Sequence, residues 1–198
     1  ITFKLLKKEN LNLSYKDIKK TILDPKTCNS MVKRKKLLKN KVPVGWREWL
    51  SLPDLGLPAI KAKIDTGAKT SSLHAFNIKI IKKGEQRFAK FDIHPLHGNK
   101  QLTVTCRAPL VDRRYVTDSG GHRELRYVIK TPVLVLGKAY DIEITLADRE
   151  VMQFRMLLGR GAMHITKMAV LPAKSMLLGK KTQDEVMELY EEYFLGEG

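Results

Sequence analysis

The chain has 198 residues, 43% of them apolar, and a formal charge of +16. That length suits one domain with appendages and a core of ordinary size, and no apolar run reaches the length of a bilayer-spanning helix. Cys28 and Cys106 are the only cysteines, too few for a disulfide scaffold or a cysteine-built zinc site. Two reduced thiols point to the cytoplasm. The first residue is Ile1, which leaves a cleaved signal peptide open. Charge is unevenly spread: residues 1–42 carry a net +10, residues 43–182 a net +12, and residues 183–198 a net −6. A basic field of this size attracts acidic partners, either nucleic acid or an acidic protein, and its pull weakens with salt.

In chain order, Leu5, Leu11, Leu13, Ile18, Ile22 and Leu23 offer a helical stripe centred on residues 15–23, ended by Asp24-Pro25. Residues 31–41 are basic and partly amphipathic, suited to nucleic acid, to a membrane surface or to a solvated arm. Residues 44–52 predict a first strand anchored by Trp46 and Trp49, and Pro53-Asp54-Leu55-Gly56 a turn. Alternation over residues 59–64 predicts a half-buried strand. Residues 73–81 and 87–93 read as a hairpin about Lys82-Lys83-Gly84-Glu85, and 101–108 as a strand rich in β-branched residues. Residues 113–129 read as two strands joined by Ser119-Gly120-Gly121. Strands over 127–136 and 139–146 follow, joined about Gly137-Lys138, with Pro132 predicting an edge or a bulge. Residues 154–158 form an apolar strand, 161–164 a helical turn and 168–171 a closing strand. Thr182-Gln183-Asp184-Glu185 is a capping box. It opens a helix carrying Val186, Met187, Leu189, Tyr190, Tyr193 and Phe194.

The strand over 59–64 delivers Asp65-Thr66-Gly67-Ala68 at its end. Glycine there permits a sharp turn and close backbone approach, and the carboxylate can share a proton with a second one and activate water. Taken alone, the tripeptide reads first as a strand followed by an Asx turn. The apolar strand ending in Gly159-Arg160 changes that balance, because retroviral-type aspartic proteases pair the two and carry a mobile hairpin, the flap, between them. Three blocks occur here in order: Gly45-Trp46-Arg47-Glu48-Trp49, then residues 64–75, then Arg114, Ser119-Gly120, Glu124-Leu125-Arg126 and Val128-Ile129. Together they strongly resemble the bacterial retropepsin-like family that carries the name ATP-dependent zinc protease, some members of which are linked to glutamate ligases that act on a ribosomal protein. The resemblance covers roughly residues 43–175. It implies a mostly β fold, a closed acid-protease barrel of six or more strands, with a C-terminal helical tail (176–198) and a basic N-terminal extension (1–42). It further implies a peptidase or amidase in which Asp65 activates water, Thr66 and Gly67 brace its loop, and residues 114–126 close over substrate.

Aspartic proteolysis needs two carboxylates sharing one proton, and the chain has a single Asp-Thr-Gly. Three arrangements stay open: a homodimer that brings two Asp65 residues together, a monomer in which Asp65 works with Glu124, Arg114 or His122, and an inactive barrel that only binds. Where the retroviral proteases carry an aspartate after Asp-Thr-Gly-Ala, Lys69 stands here, so Arg160 needs another acceptor or rests on backbone carbonyls. Lys69, Arg113, Arg114 and Arg126 suit a carboxylate-rich substrate, such as a glutamylated protein tail, with Arg pairing bidentately. Ser119 and Gly120 offer backbone N–H groups from the hairpin turn. No zinc motif accompanies the family name: His94 and His97 flank Pro95, and His74, His122 and His164 are scattered. No phosphate-binding Walker loop is present either. The expectation is therefore no bound metal and no nucleotide.

Overall fold

A computed structural model describes residues 40–117, 120–148 and 153–196. The expected helix over 15–23, the basic segment up to residue 39, Cys28 and Ser119 lie outside the described residues. The chain divides into two units, Ile1–Lys41 and Val42–Gly198, and the elements below belong to the second.

Its strands are β1 (Val42–Val44), β2 (Arg47–Leu52), β3 (Leu57–Ile64), β4 (Ser71–His74), β5 (Phe76–Lys83), β6 (Gln86–Ile93), β7 (Val104–Thr117), β8 (Arg123–Val135), β9 (Lys138–Ala147), β10 (Met156–Leu158) and β11 (Met168–Val170). Helix α1 spans Arg160–Ile165 and α2 spans Gln183–Gly196. Nine strands form one sheet in the order β2-β3-β10-β4-β9-β8-β7-β6-β5, and β2 also meets β8 through Ser51 opposite Leu134. The fold is thus mostly β with a C-terminal helix.

The strand expected over residues 44–52 is two strands. β1 pairs in parallel with β11, while β2 joins the large sheet. Gly45 lies at the break, where a Cβ would collide with the backbone of Lys174 and Ser175. Three residues on, Glu48 is fully buried, and its carboxylate accepts hydrogen bonds from the backbone N–H groups of Gly45, Leu177 (3.0 Å) and Leu178 (2.9 Å). Backbone donors left unpaired away from water are costly. These bonds fasten the stretch after β11 to the start of β2. Trp46 is 37% exposed and touches Phe154 edge-on. It is only partly the packing anchor that its size suggested.

The strands expected over 101–108 and from residue 113 merge into β7. Pro109 stays in the ladder opposite Phe88, and the irregularity falls just after it, between Leu110 and Asp112. Pro132 stands opposite Asp141 in an unbroken β8–β9 ladder. On the other side of β8, β7 pairs only as far as Ile129 and β2 meets the strand at Leu134, so the proline stands between those two partners.

The core fills the space between these strands, with Leu52, Leu57, Ile60, Phe91, Ile144 and Met156 essentially inaccessible. Each such side chain contributes roughly 1.5–3 kcal/mol. Helix α2 begins at the expected capping box, with Thr182 N–H donating to Glu185 Oε2 (2.6 Å) and Glu185 N–H to Thr182 Oγ1 (3.2 Å). It buries Val186 and Tyr190, and the Tyr190 hydroxyl donates to Ala59 O of β3 at 2.7 Å. Cys106 is buried beside them in the core, and burial pushes its thiol up to about 12, so it stays protonated. No helix among the described residues is long and apolar enough to cross a membrane.

Candidate active site

Asp65 follows the last residue of β3, where the strand leaves the sheet. Its N–H donates to Leu158 O (2.9 Å), continuing the parallel β3–β10 ladder by one step. Its Oδ1 then accepts from Gly67 N–H (2.9 Å) and Ala68 N–H (3.1 Å), an Asx turn that fixes the carboxylate. Oδ2 has no bonding partner among the described residues.

The turn is held from its far side by the start of α1. Arg160 N–H donates to Ala68 O (2.8 Å) and Gly161 N–H to Lys69 O (2.9 Å). The Arg160 guanidinium donates through Nη1 to Thr66 O (2.8 Å) and Gly67 O (2.9 Å). Arg160 therefore rests on backbone carbonyls, and Lys69 is exposed at the cleft. The brace from Thr66 is its carbonyl; its side chain is exposed and makes no hydrogen bond among the described residues. Ser71 ties in the next layer, accepting from Gly159 N–H through Oγ (3.1 Å) and from Thr145 Oγ1 through its carbonyl (3.1 Å).

Gly159 has no room for a side chain. A Cβ there would stand 2.6 Å from Thr70 C and 2.9 Å from Lys69 O, both backbone atoms that cannot swing aside. Gly159→Ala is expected to destabilise the protein by about 1–3 kcal/mol, as overpacking does, and to displace the Asp65 turn. Thermal unfolding checks the first effect, and substrate turnover the second.

A cleft of about 660 Å³ opens beside Asp65. Lys69, Thr70 and Ser72 line one side, and the hairpin of β7 and β8 lines the other with Arg114, Tyr115 and Arg126. Arg114 and Arg126 face each other across the hairpin ladder, as do Val116 and Glu124. The two arginines are held differently. Arg114 is ion-paired with Asp112 (2.6 Å) and Glu143 (2.7 Å). Arg126 is 6% exposed and bonds Glu124 through Nε (2.8 Å). Its Nη2 is buried with no hydrogen-bond acceptor among the described residues. A buried donor without an acceptor is costly and uncommon in native structures. Among the described residues that line the cleft, Asp65 is the single carboxylate.

The candidate residues named from sequence are thus only partly assembled. Asp65, Gly67, Lys69, Arg114 and Arg126 line the cleft. Arg113 does not: strand alternation turns it to the opposite face, where it lies over Tyr127 (5.3 Å) and lines a different groove. Glu124 is exposed and reaches the cleft only through Arg126. Gly120 and His122 sit at the exposed end of the hairpin, outside the lining. Ser72, Tyr115, Thr117 and Thr145 line the cleft and were not singled out. Strand alternation places Tyr115 and Thr117 on the Arg113 parity, so it gave no signal that they line the same cleft as Arg114.

Among the described residues no three His, Cys, Asp or Glu side chains converge as metal ligands. His94 stacks on Phe76 (4.6 Å), with Nδ1 near Leu102 O and Thr103 Oγ1.

An Asp-Thr-Gly turn stitched to a Gly-Arg strand end, beside a long β-hairpin, is the arrangement of a retropepsin-like domain. Residues 43–181 match the profile of the RimB-like family, described as the retropepsin-like aspartic endopeptidase RimB. The chain belongs to this RimB-like family. Curated relatives include a "Probable alpha-L-glutamate ligase" of Desulfotalea psychrophila, 42% identical over 147 residues, and one of Shewanella pealeana, 43% identical over 151. Those matches cover 74% and 76% of this chain but 32% and 33% of the relatives, so the chain spans about a third of their length. Among solved structures, protein Lpg0085 of Legionella pneumophila, of unknown function, superposes with a TM-score of 0.58 at 28% identity. That likeness covers 71% of this chain and 99% of the other.

Proposed function

We propose that this domain is an aspartic peptidase or amidase of the retropepsin type, acting on an acidic, glutamate-rich protein tail. The observation that carries the reading is the Asp65 carboxylate, fixed through Oδ1 by two backbone N–H groups in a cleft whose other charged lining groups are Lys69, Arg114 and Arg126. Asp65 takes a proton from water, and the water oxygen adds to the amide carbon. A second carboxyl group donates its proton to the carbonyl oxygen. Collapse of the adduct, with a proton passing to nitrogen, breaks the C–N bond and yields an acid and an amine. The second carboxyl is Asp65 of another copy in a homodimer, because the cleft of one copy offers none among its described residues. We read the ring β2-β3-β10-β4-β9-β8, joined at Ser51 and Leu134, as the closed barrel that supports this site.

Substrate acidity follows from the cleft cations. Arg126 Nη2 needs an acceptor, and a substrate carboxylate supplies one as a charge-assisted bond. The glutamate-ligase name of the longer relatives favours the same class of substrate. The test is the purified protein incubated with a peptide ending in several glutamates and with its glutamine counterpart, over a broad pH range, with and without zinc, products being read by mass spectrometry. Shortening of the acidic peptide alone is expected, and Arg126→Gln should raise its KM about tenfold, the loss of one charged hydrogen bond. Two intact peptides under every condition would overturn the reading.

The single carboxylate of the cleft also favours a second reading: a binding module for acidic proteins or RNA that performs no chemistry. Binding that falls steeply with salt and survives Asp65→Ala, with no cleavage, would select it.

A further inference from the structure

A second groove lies away from Asp65 and shares no lining residue with its cleft. Strand register builds its floor. Trp49 of β2 stands opposite Lys61 of β3, on the less buried face of both strands. β10 runs parallel to β3 with Met156 beside Ala62, which brings Arg155 beside Lys61. Lys61 Nζ lies 4.9 Å over the Trp49 ring. Pro95, Leu96 and His97 contribute to the lining from one loop, and Lys181 and Gln183 from the entry to α2. The Tyr190–Ala59 hydrogen bond fixes that helix on β3, so the helix side of the groove is anchored.

Three cations, Lys61, Arg155 and Lys181, converge on about 280 Å³, and no carboxylate is among the described lining residues. Arg155 is only 5% exposed, so its charge is built into the wall. The N-terminal turn of α2 adds the partial positive charge of its N–H groups at Gln183. Asp184 and Glu185 stand outside the lining, and Glu185 is bonded to Thr182. Like charges gathered in a concave, partly dry site raise the local concentration of counter-anions, and a tryptophan wall lowers the local dielectric further.

We propose that this groove is a second anion-binding site, taking one carboxylate or phosphate group between Lys61, Lys181 and Arg155. It stands independently of the Asp65 chemistry. Lys61 precedes Asp65 by four residues of extended strand, about 13 Å, so an anion held here leaves the cleft open.

Trp49 makes the site self-reporting. With Trp46→Phe in the full chain, Trp49 is the one remaining tryptophan. Its emission is titrated at low salt with inorganic phosphate and, separately, with triglutamate. A saturable change with either ligand is expected, with Kd at least tenfold higher in Lys61→Gln/Lys181→Gln and unaltered by Asp65→Asn. Response to phosphate alone assigns a phosphate group, and response to triglutamate alone a carboxylate chain. Should the double variant fail to fold, Lys181→Glu, at an exposed position, must weaken binding in the same direction. No saturable change with either ligand, or equal Kd in the lysine variants, overturns the proposal.

Discussion

Asp65→Asn is expected to lower kcat on an acidic peptide by about a thousandfold or more, within or beyond the range for loss of a general base, while the melting temperature stays nearly constant. On the proposed mechanism the two effects separate, because Asp65 has two jobs on different atoms. An asparagine Oδ1 still accepts from Gly67 and Ala68, so the turn survives. The amide cannot take a proton from water, so the chemistry does not. Steady-state kinetics beside calorimetric unfolding gives both numbers from one preparation. Retained turnover would mean that the carboxylate is not the base; lost turnover with a large fall in melting temperature would mean that the turn had collapsed.

Glu48→Ala should be the more damaging change to stability, although residue 48 is not in the cleft lining. Removing its carboxylate strands the N–H of Gly45 in a buried place and those of Leu177 and Leu178 in partly buried ones. An unsatisfied buried group costs about 1–3 kcal/mol, so with the two partly buried donors the loss is about 3 kcal/mol. For a chain of this size that lowers the melting temperature by roughly 6–12 °C. Glu48→Gln keeps one acceptor oxygen and should fall between the two. Thermal unfolding of both variants checks the order, and an alanine variant as stable as the parent would show that water replaces the carboxylate.

Local features of the site were legible in the sequence. Alternation over residues 59–64 and the glycine at 67 placed the Asp65 strand and its turn, and paired β-branched and aromatic runs about glycines placed the hairpin of β7 and β8. What was not legible depends on residues far apart in the chain. β1 was read as part of β2 because nothing local distinguishes a strand that pairs with β11, more than a hundred positions on, from one that continues its neighbour. Glu48 reads as an ordinary surface acid in an alternating strand, and its acceptors' donors lie near residue 177. Arg113 and Arg114 are interchangeable as composition. Only the ladder decides which one lines the Asp65 cleft.

The fastening of the Asp65 turn has an evolutionary consequence. Arg160 and the start of α1 grip carbonyl oxygens of residues 66–69, and every amino acid carries a carbonyl. The side chain at position 69 is therefore released from structural duty. An exchange of aspartate for lysine there reverses the sign of the charge beside the cleft without touching these bonds. On the proposed function, substrate preference can then drift along one axis while the chemistry stays put on another.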